Sequence, residues 1–142
     1  MPMAILLNGP TASGKSALGL RLAEKYNGVI INADSMQLYD ALATLTAQPC
    51  LADMARAPHK LYGLLDPADK TDAVLWRDMA VREIKSAHEN GQLPIILGGT
   101  GFYIKTLTEG LSPIPQVPDD IRAQGEAQLA EQGLQSFYDE LV

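Results

Sequence analysis

Residues 9–16 read Gly9-Pro10-Thr11-Ala12-Ser13-Gly14-Lys15-Ser16, a G-x-x-x-x-G-K-S spacing in which every demanded position is filled. The chemistry this pattern serves is phosphate binding. Successive backbone N–H groups of such a loop wrap phosphate oxygens, the lysine reaches the outermost phosphate, and the serine hydroxyl offers a position to Mg²⁺. The loop is generic in its cargo. ATP, another nucleotide or a non-nucleotide diphosphate would satisfy the same donors.

Two further groups of residues have the types that could work beside a bound phosphate. Asp34-Ser35 follows the β-branched run Val29-Ile30-Ile31, and Gly98-Gly99-Thr100 follows Leu93-Pro94-Ile95-Ile96-Leu97. In an open parallel sheet, ligands bind outside the carboxyl ends of the strands, so these two segments and the glycine-rich loop would converge if the three runs are parallel strands. Asp34 could then accept a proton or a hydrogen bond from a nucleophile at the phosphates. It could equally cap the helix after it. Thr100 has the same two readings, and Gly98 and Gly99 permit a tight strand-to-helix turn.

The elements needed to hold these groups can be traced along the chain. Met3 to Leu7 is a continuous apolar run stopped by Asn8-Gly9-Pro10, which predicts a buried strand feeding the loop. From Lys15 to Tyr26 a helix is predicted, with Leu18, Leu22 and Tyr26 as its apolar stripe and Gly28 as its stop. Residues 40–72 are broken by Pro49, Pro58 and Pro67; they predict an irregular, insertion-like segment, with short helical pieces over 35–42 and 51–56. Asp72 is placed to cap a helix whose stripe is Val74, Leu75, Met79, Ala80, Ile84 and Ala87, ending at Asn90-Gly91. A strand over 93–97 and a helix over 102–109 follow. Pro113, Pro115 and Pro118 mark a boundary, beyond which 119–133 and 135–142 read as polar helices. The expectation is an α/β fold: a P-loop NTPase-like parallel sheet flanked by helices over residues 1–115, then a helical extension over 116–142 that reads as truncated.

Bulk properties narrow the function classes. A chain of 142 residues is about one domain. No apolar run approaches the roughly 20 residues of a membrane span, and no leader precedes the loop, so a cytoplasmic monomer is expected. The single cysteine and two distant histidines, His59 and His88, leave no disulfide and no zinc-type cluster. A formal net charge of −6 argues against a broad basic surface of the kind that binds phosphate backbones.

Taken together, residues 9–16, Ala33-Asp34-Ser35-Met36-Gln37-Leu38-Tyr39, Ala57-Pro58-His59, Gly98-Gly99-Thr100-Gly101-Phe102-Tyr103 and Gly110-Leu111-Ser112-Pro113-Ile114-Pro115 resemble, in order, the tRNA dimethylallyltransferases. The resemblance implies transfer of a five-carbon allylic group from dimethylallyl diphosphate to the exocyclic amine of the adenosine 3′ to a tRNA anticodon. It implies Asp34 as the catalytic acidic residue, Thr100 near the transferred group, and Lys15 and a Ser16-bound Mg²⁺ on the leaving diphosphate. Asp34, Ser35, Met36, Gln37, Thr100 and Arg122 would meet the tRNA anticodon arm. Where the family usually has Asp-Ile-Gly-Thr-Ala-Lys-Pro, this chain has Ala43-Thr44-Leu45-Thr46-Ala47-Gln48-Pro49, without the lysine and the carboxylate. Family members also continue into a helical region with a basic Gln-Arg-x-x-Arg motif, which these residues lack. The alternative reading is a P-loop kinase for a small molecule or nucleotide, with ATP in the loop and Asp34 orienting a hydroxyl.

Overall fold

The computed structural model describes residues 3–41, 43–112 and 117–141. They form two compact units, one up to Leu111 and one from Ser112. The boundary expected at 115/116, with Pro113 and Pro115, lies outside the described residues.

The first unit is built in the order β1 (Ile5–Asn8), α1 (Lys15–Tyr26), β2 (Gly28–Asn32), a 3-10 helix (Ser35–Leu38), α2 (Leu51–Arg56), β3 (His59–Lys60), α3 (Ala73–Glu89), β4 (Leu93–Gly98) and α4 (Gly101–Glu109). The four strands make one sheet in the order β1-β4-β2-β3, and every pairing is parallel. β4 therefore lies between β1 and β2, with Ile95 opposite Ile5 on one side and Ile30 on the other. Both faces of β2 and β4 are covered, as their unbroken apolar runs require. One face packs Ile31, Leu38, Trp76, Ile96 and Tyr103; the other packs Leu20, Ala23, Ile30, Ile95 and Leu97.

Three local expectations are corrected. The buried side of α1 is Gly19, Leu20 and Ala23, whereas Leu18 is 42% and Tyr26 50% exposed. Gly19 has no side chain to hold the helix off β4, and the side chain of Leu97 occupies the place a Cβ would take. The helix ends at Tyr26 as expected, but its stop is Asn27 rather than Gly28: Asn27 adopts the left-handed conformation, φ 51°, and its N–H returns to the Ala23 carbonyl. Gly28 instead opens β2, where a Cβ would stand 2.8 Å from the Ile95 side chain. On α3 the buried residues are Ala73, Trp76, Ala80 and Ala87, while Val74 and Leu75 are largely exposed. The Asp72 cap holds, accepting from the Leu75 N–H at 2.8 Å.

The segment 40–72 is not an insertion. It supplies the edge strand β3, paired to β2 through Ile30 and Ile31, and buries Ala57 and Leu61. Prolines hid this strand, because an edge needs ladder bonds on one side only and Pro58 supplies just a carbonyl, which accepts from the Ile30 N–H at 2.9 Å. A bidentate pair, Arg56 to Glu24 at 2.8 and 2.9 Å, ties α2 to α1. That contact holds the Glu24 carboxyl below its ordinary range and the Arg56 guanidinium above its own.

The second unit pairs α5 (Asp119–Gln132) with α6 (Leu134–Leu141) around Gly133, φ 79°, with Gln128 donating to Glu140 at 2.7 Å. No described helix is long and apolar enough to cross a membrane.

The closest approach in the first unit is Gly98 against Ala33, where a Cβ on Gly98 would fall inside the Ala33 backbone. Gly98→Ala is expected to cost about 3 kcal/mol, the upper end of what overpacking usually costs, because backbone cannot rotate away. Gly101→Ala, at the start of α4 where a Cβ meets nothing within 4 Å, serves as the control and does not destabilise. Urea denaturation of the two variants checks the pair.

Candidate active site

The parallel order puts the loop after β1, the Asp34 turn after β2 and the Gly98–Thr100 turn after β4 at the same edge of the sheet. The loop reverses twice, with left-handed backbone at Ala12 (φ 63°) and Gly14 (φ 83°), before α1 begins at Lys15. Left-handed residues alternating with right-handed ones turn consecutive N–H groups into one concavity, which suits an anion. Ala12 carries a Cβ in that conformation, at a cost of about 1–2 kcal/mol, and the loop holds it there. The Lys15 ammonium donates to the Pro10 carbonyl at 2.6 Å, which folds the side chain back over the loop at the positive end of α1.

Asp34 lies half-buried at the end of β2. One carboxylate oxygen accepts from the Met36 N–H at 3.0 Å, so the capping reading is true of that oxygen. The carboxylate nevertheless lines a cavity of about 400 Å³ together with Thr11, Ala12, Lys15, Ser16 and Gly98. The functional reading thus rests on the same side chain, whose other oxygen remains for a ligand. Met36 and Gln37 also line this cavity.

Thr100 occupies the position before α4, but its hydroxyl does not cap that helix. Its oxygen accepts from the Ser35 N–H at 3.0 Å and lies 3.4 Å from the Ser35 hydroxyl, while its own N–H donates to the Ala33 carbonyl at 3.2 Å. The observed work of Thr100 is to lash the β4–α4 turn to the turn that carries Asp34. Arg122 lies exposed in α5, in the second unit.

Gln37 and His59 fall in the resembled blocks, but the contacts they make, and the part played by Gln48 and Tyr62, gave no motif signal. Gln37 donates to the carbonyls of Thr46 and Ala47 at 2.7 and 3.3 Å, and Gln48 donates to the Tyr39 carbonyl at 2.7 Å. The 43–49 segment is thereby clipped over the cavity, with Leu45, Thr46 and Ala47 on its wall. A smaller cavity of about 210 Å³ adjoins it, sharing Ser16, Gln37, Ala47 and Leu97 and adding His59 and Tyr62. The Ala57 carbonyl lies 2.8 Å from His59 Nδ1 and can only accept, so Nδ1 carries a proton and donates to it. Burial pushes the Tyr62 phenol well above its ordinary value, and the negative charge of Asp34 adds to the shift.

The donor set fits a hard cation held jointly with a ligand. Among the described residues the Ser16 hydroxyl has no hydrogen-bond partner, and it shares the cavity with Lys15 and the Asp34 carboxylate. Mg²⁺ is commonly held by one or two protein oxygens, with phosphates and waters supplying the rest. No group of three acidic, histidine or cysteine side chains among the described residues would cage it alone.

The family model described as IPP transferase matches residues 37–142. The chain belongs to the IPP transferase family. It is 53% identical over 139 residues to a tRNA dimethylallyltransferase of Paramagnetospirillum magneticum, covering 98% of this chain and 44% of that one. A tRNA dimethylallyltransferase of Rhodospirillum centenum is 52% identical over 123 residues, covering 87% of this chain and 39% of its own length. The chain therefore spans less than half the length of these curated relatives. Among solved structures, the tRNA isopentenylpyrophosphate transferase of Bacillus halodurans superposes with a TM-score of 0.77 at 32% identity, covering 99% of this chain and 47% of that one. A eukaryotic dimethylallyltransferase acting on tRNA superposes at 0.70 with 29% identity over 80% of this chain and 30% of that one.

Replacing Lys15 removes a charge-assisted donor of about 1.5–3 kcal/mol, so Lys15→Ala is expected to weaken pyrophosphate binding about 10- to 100-fold in calorimetry. Alkali should also weaken the fold. A phenol whose folded value lies above the unfolded 10.0 binds its proton more tightly when folded, so stability falls as pH rises past 10. Tyr62→Phe is expected to flatten that fall, read from urea midpoints between neutral pH and pH 11.

Proposed function

We propose that this chain carries the diphosphate and acceptor-amine centre of a tRNA dimethylallyltransferase. The observation that carries the reading is the shared cavity: Lys15 and Ser16 on the phosphate loop face the Asp34 carboxylate across a single space. Family membership and the names of the relatives supply the substrate class.

In this reading dimethylallyl diphosphate lays its diphosphate in the loop. Its five-carbon tail lies in the smaller cavity, where Ala17, Leu20, Ile30 and Leu97 offer apolar wall. The bond between the allylic C1 and the diphosphate oxygen breaks with its electron pair leaving on the diphosphate. Backbone N–H groups and Lys15 absorb that charge. Mg²⁺ held by Ser16 would neutralise the same oxygens when bound. The adenine amine forms the new C–N bond, and its surplus proton passes to Asp34. That amine is a poor nucleophile, its lone pair delocalised into the ring, so orientation by Asp34 contributes as much as basicity. The base has to leave the anticodon-loop stack to enter the cavity, which is easiest for an unpaired loop nucleotide. Met36 and Gln37 on the cavity wall, Ser35 and Thr100 beside Asp34, and Arg122 in α5 are the residues assigned to tRNA.

Incubating the longest natural chain carrying this sequence with labelled dimethylallyl diphosphate and tRNA should place label in the anticodon arm. A folded chain that incorporates none would overturn the proposal, and ADP release with small acceptors would favour a kinase. Asp34→Asn is expected to lower the transfer rate by about 10²–10⁴ while leaving pyrophosphate binding within twofold, a separation that calorimetry and initial rates test together.

A further inference from the structure

Asn32 is one of two fully buried polar side chains among the described residues, and its bonds converge on the catalytic turn. It closes β2, where regular strand pairing ends and the backbone must turn to present Asp34. Its Oδ1 accepts from the Asp34 N–H at 2.8 Å. Its Nδ2 donates to the Asp34 carbonyl at 2.9 Å and to the Leu61 carbonyl at 2.9 Å. Both amide hydrogens are used. The orientation is unambiguous, because exchanging oxygen and nitrogen would set an oxygen against two carbonyls and an NH₂ against an N–H.

The side chain therefore grips the residue before the 3-10 helix by both its backbone donor and its backbone acceptor. It fixes the peptide planes on either side of the Asp34 Cα, and with them the direction in which the carboxylate leaves the backbone. The same amide reaches Leu61, a residue in left-handed conformation (φ 63°) whose neighbour Tyr62 lines the smaller cavity. Asn32 is itself held from behind. Its carbonyl accepts from the indole N–H of the fully buried Trp76 at 2.8 Å, and Trp76 is stacked on Tyr103 of α4 at 4.5 Å between ring centroids. The Asn32 side-chain amide thus holds the Asp34 turn, and Asn32 is itself anchored to α3 and α4 through its own backbone carbonyl.

We propose that Asn32 is a positioning residue for the transfer reaction: it sets the aim of the Asp34 carboxylate and ties that carboxylate to the wall of the adjoining cavity. It touches no substrate. The inference rests on the proposed role of Asp34 as the group that receives the amine proton. A misplacement of about 1 Å at a reacting centre is enough to cost about 10²-fold in rate. An isosteric exchange is the sharpest perturbation, since Asn32→Asp keeps the shape but turns an oxygen toward two carbonyls.

The test compares Asn32→Asp and the smaller Asn32→Ser with the parent chain in three measurements. Hydrogen exchange of the Asp34 and Ser35 amides, followed without substrate, should accelerate at least tenfold in Asn32→Asp, whose carboxylate repels the Asp34 and Leu61 carbonyls and opens the turn, and by a smaller factor in Asn32→Ser, which keeps an acceptor for the Asp34 N–H, while the amides of α1 keep their protection. Pyrophosphate binding by calorimetry should stay within twofold, because the loop does not depend on Asn32. In the transfer assay kcat should fall at least 30-fold with KM for the allylic diphosphate within threefold, and Asn32→Ser, which can still accept from the Asp34 N–H, should recover part of the loss. Unchanged exchange at Asp34, or kcat and pyrophosphate affinity falling in parallel with global stability, would overturn the inference. If Asn32→Asp does not fold, Asn32→Ser decides by the same criteria. A parent chain that folds but transfers nothing would sink the function instead, and the exchange measurement would still judge the positioning.

Discussion

Parallel pairing of β4 with β1 on one side and β2 on the other is the constraint on which the site depends. β4 is the last strand among the described residues, yet it lies between the first two. The phosphate loop and the Asp34 turn are therefore separated by one strand, and that strand ends in Gly98. Because Gly98 carries no side chain, β4 and the Ala33 backbone approach closely enough for Ala33 to bond both the Leu97 carbonyl and the Thr100 N–H. A Cβ at that position would push apart the two halves of the cavity, so the glycine is spatial rather than conformational in its purpose.

From that constraint the rest of the site follows as a set of ties between turns. Thr100 bonds Ser35, Asn32 bonds both sides of Asp34 and also Leu61, and Gln37 and Gln48 hold the 43–49 segment. Each tie is a side chain bonding backbone groups of the turns, where regular pairing stops and buried or half-buried groups need partners. Rigid turns suit the proposed transfer, in which one carboxylate would have to meet an amine opposite a departing diphosphate.

Charge at the site is sparse. Lys15 is the cation lining the larger cavity, and Asp34 is the carboxylate opposite it. Gln48 stands where the resembled family usually has a lysine, and it serves as a hydrogen-bond clip rather than a charge. In the proposed reading a diphosphate there would be met chiefly by backbone N–H dipoles, Lys15 and a cation that Ser16 would help to hold. The net charge of −6 fits a centre built for a small anion inside a concavity better than one built to attract a polyanion over a broad surface.

Local chemistry made much of this legible in the residues. The glycine-rich loop, the α1 span from Lys15 to Tyr26, the Asp72 cap and the buried strands β2 and β4 were readable because spacing, capping and continuous apolar runs act over a few neighbours, whereas β1, expected to be buried, lies at one edge of the sheet with Leu6 42% exposed. So was the convergence of Asp34 with the loop, which needed only the rule that parallel strands open their ligand sites at one edge. The buried faces of α1 and α3 were misread at Leu18, Tyr26, Val74 and Leu75, since the choice between neighbouring stripes depends on which side chain the sheet can admit. Gly19 admits Leu97, and Trp76 finds the Asn32 carbonyl and the Tyr103 ring. The strand β3 and the ties through Asn32, Thr100 and Gln37 join residues up to 65 positions apart. Such partners become neighbours only when the sheet is assembled, and no local pattern of residues encodes a meeting at that distance.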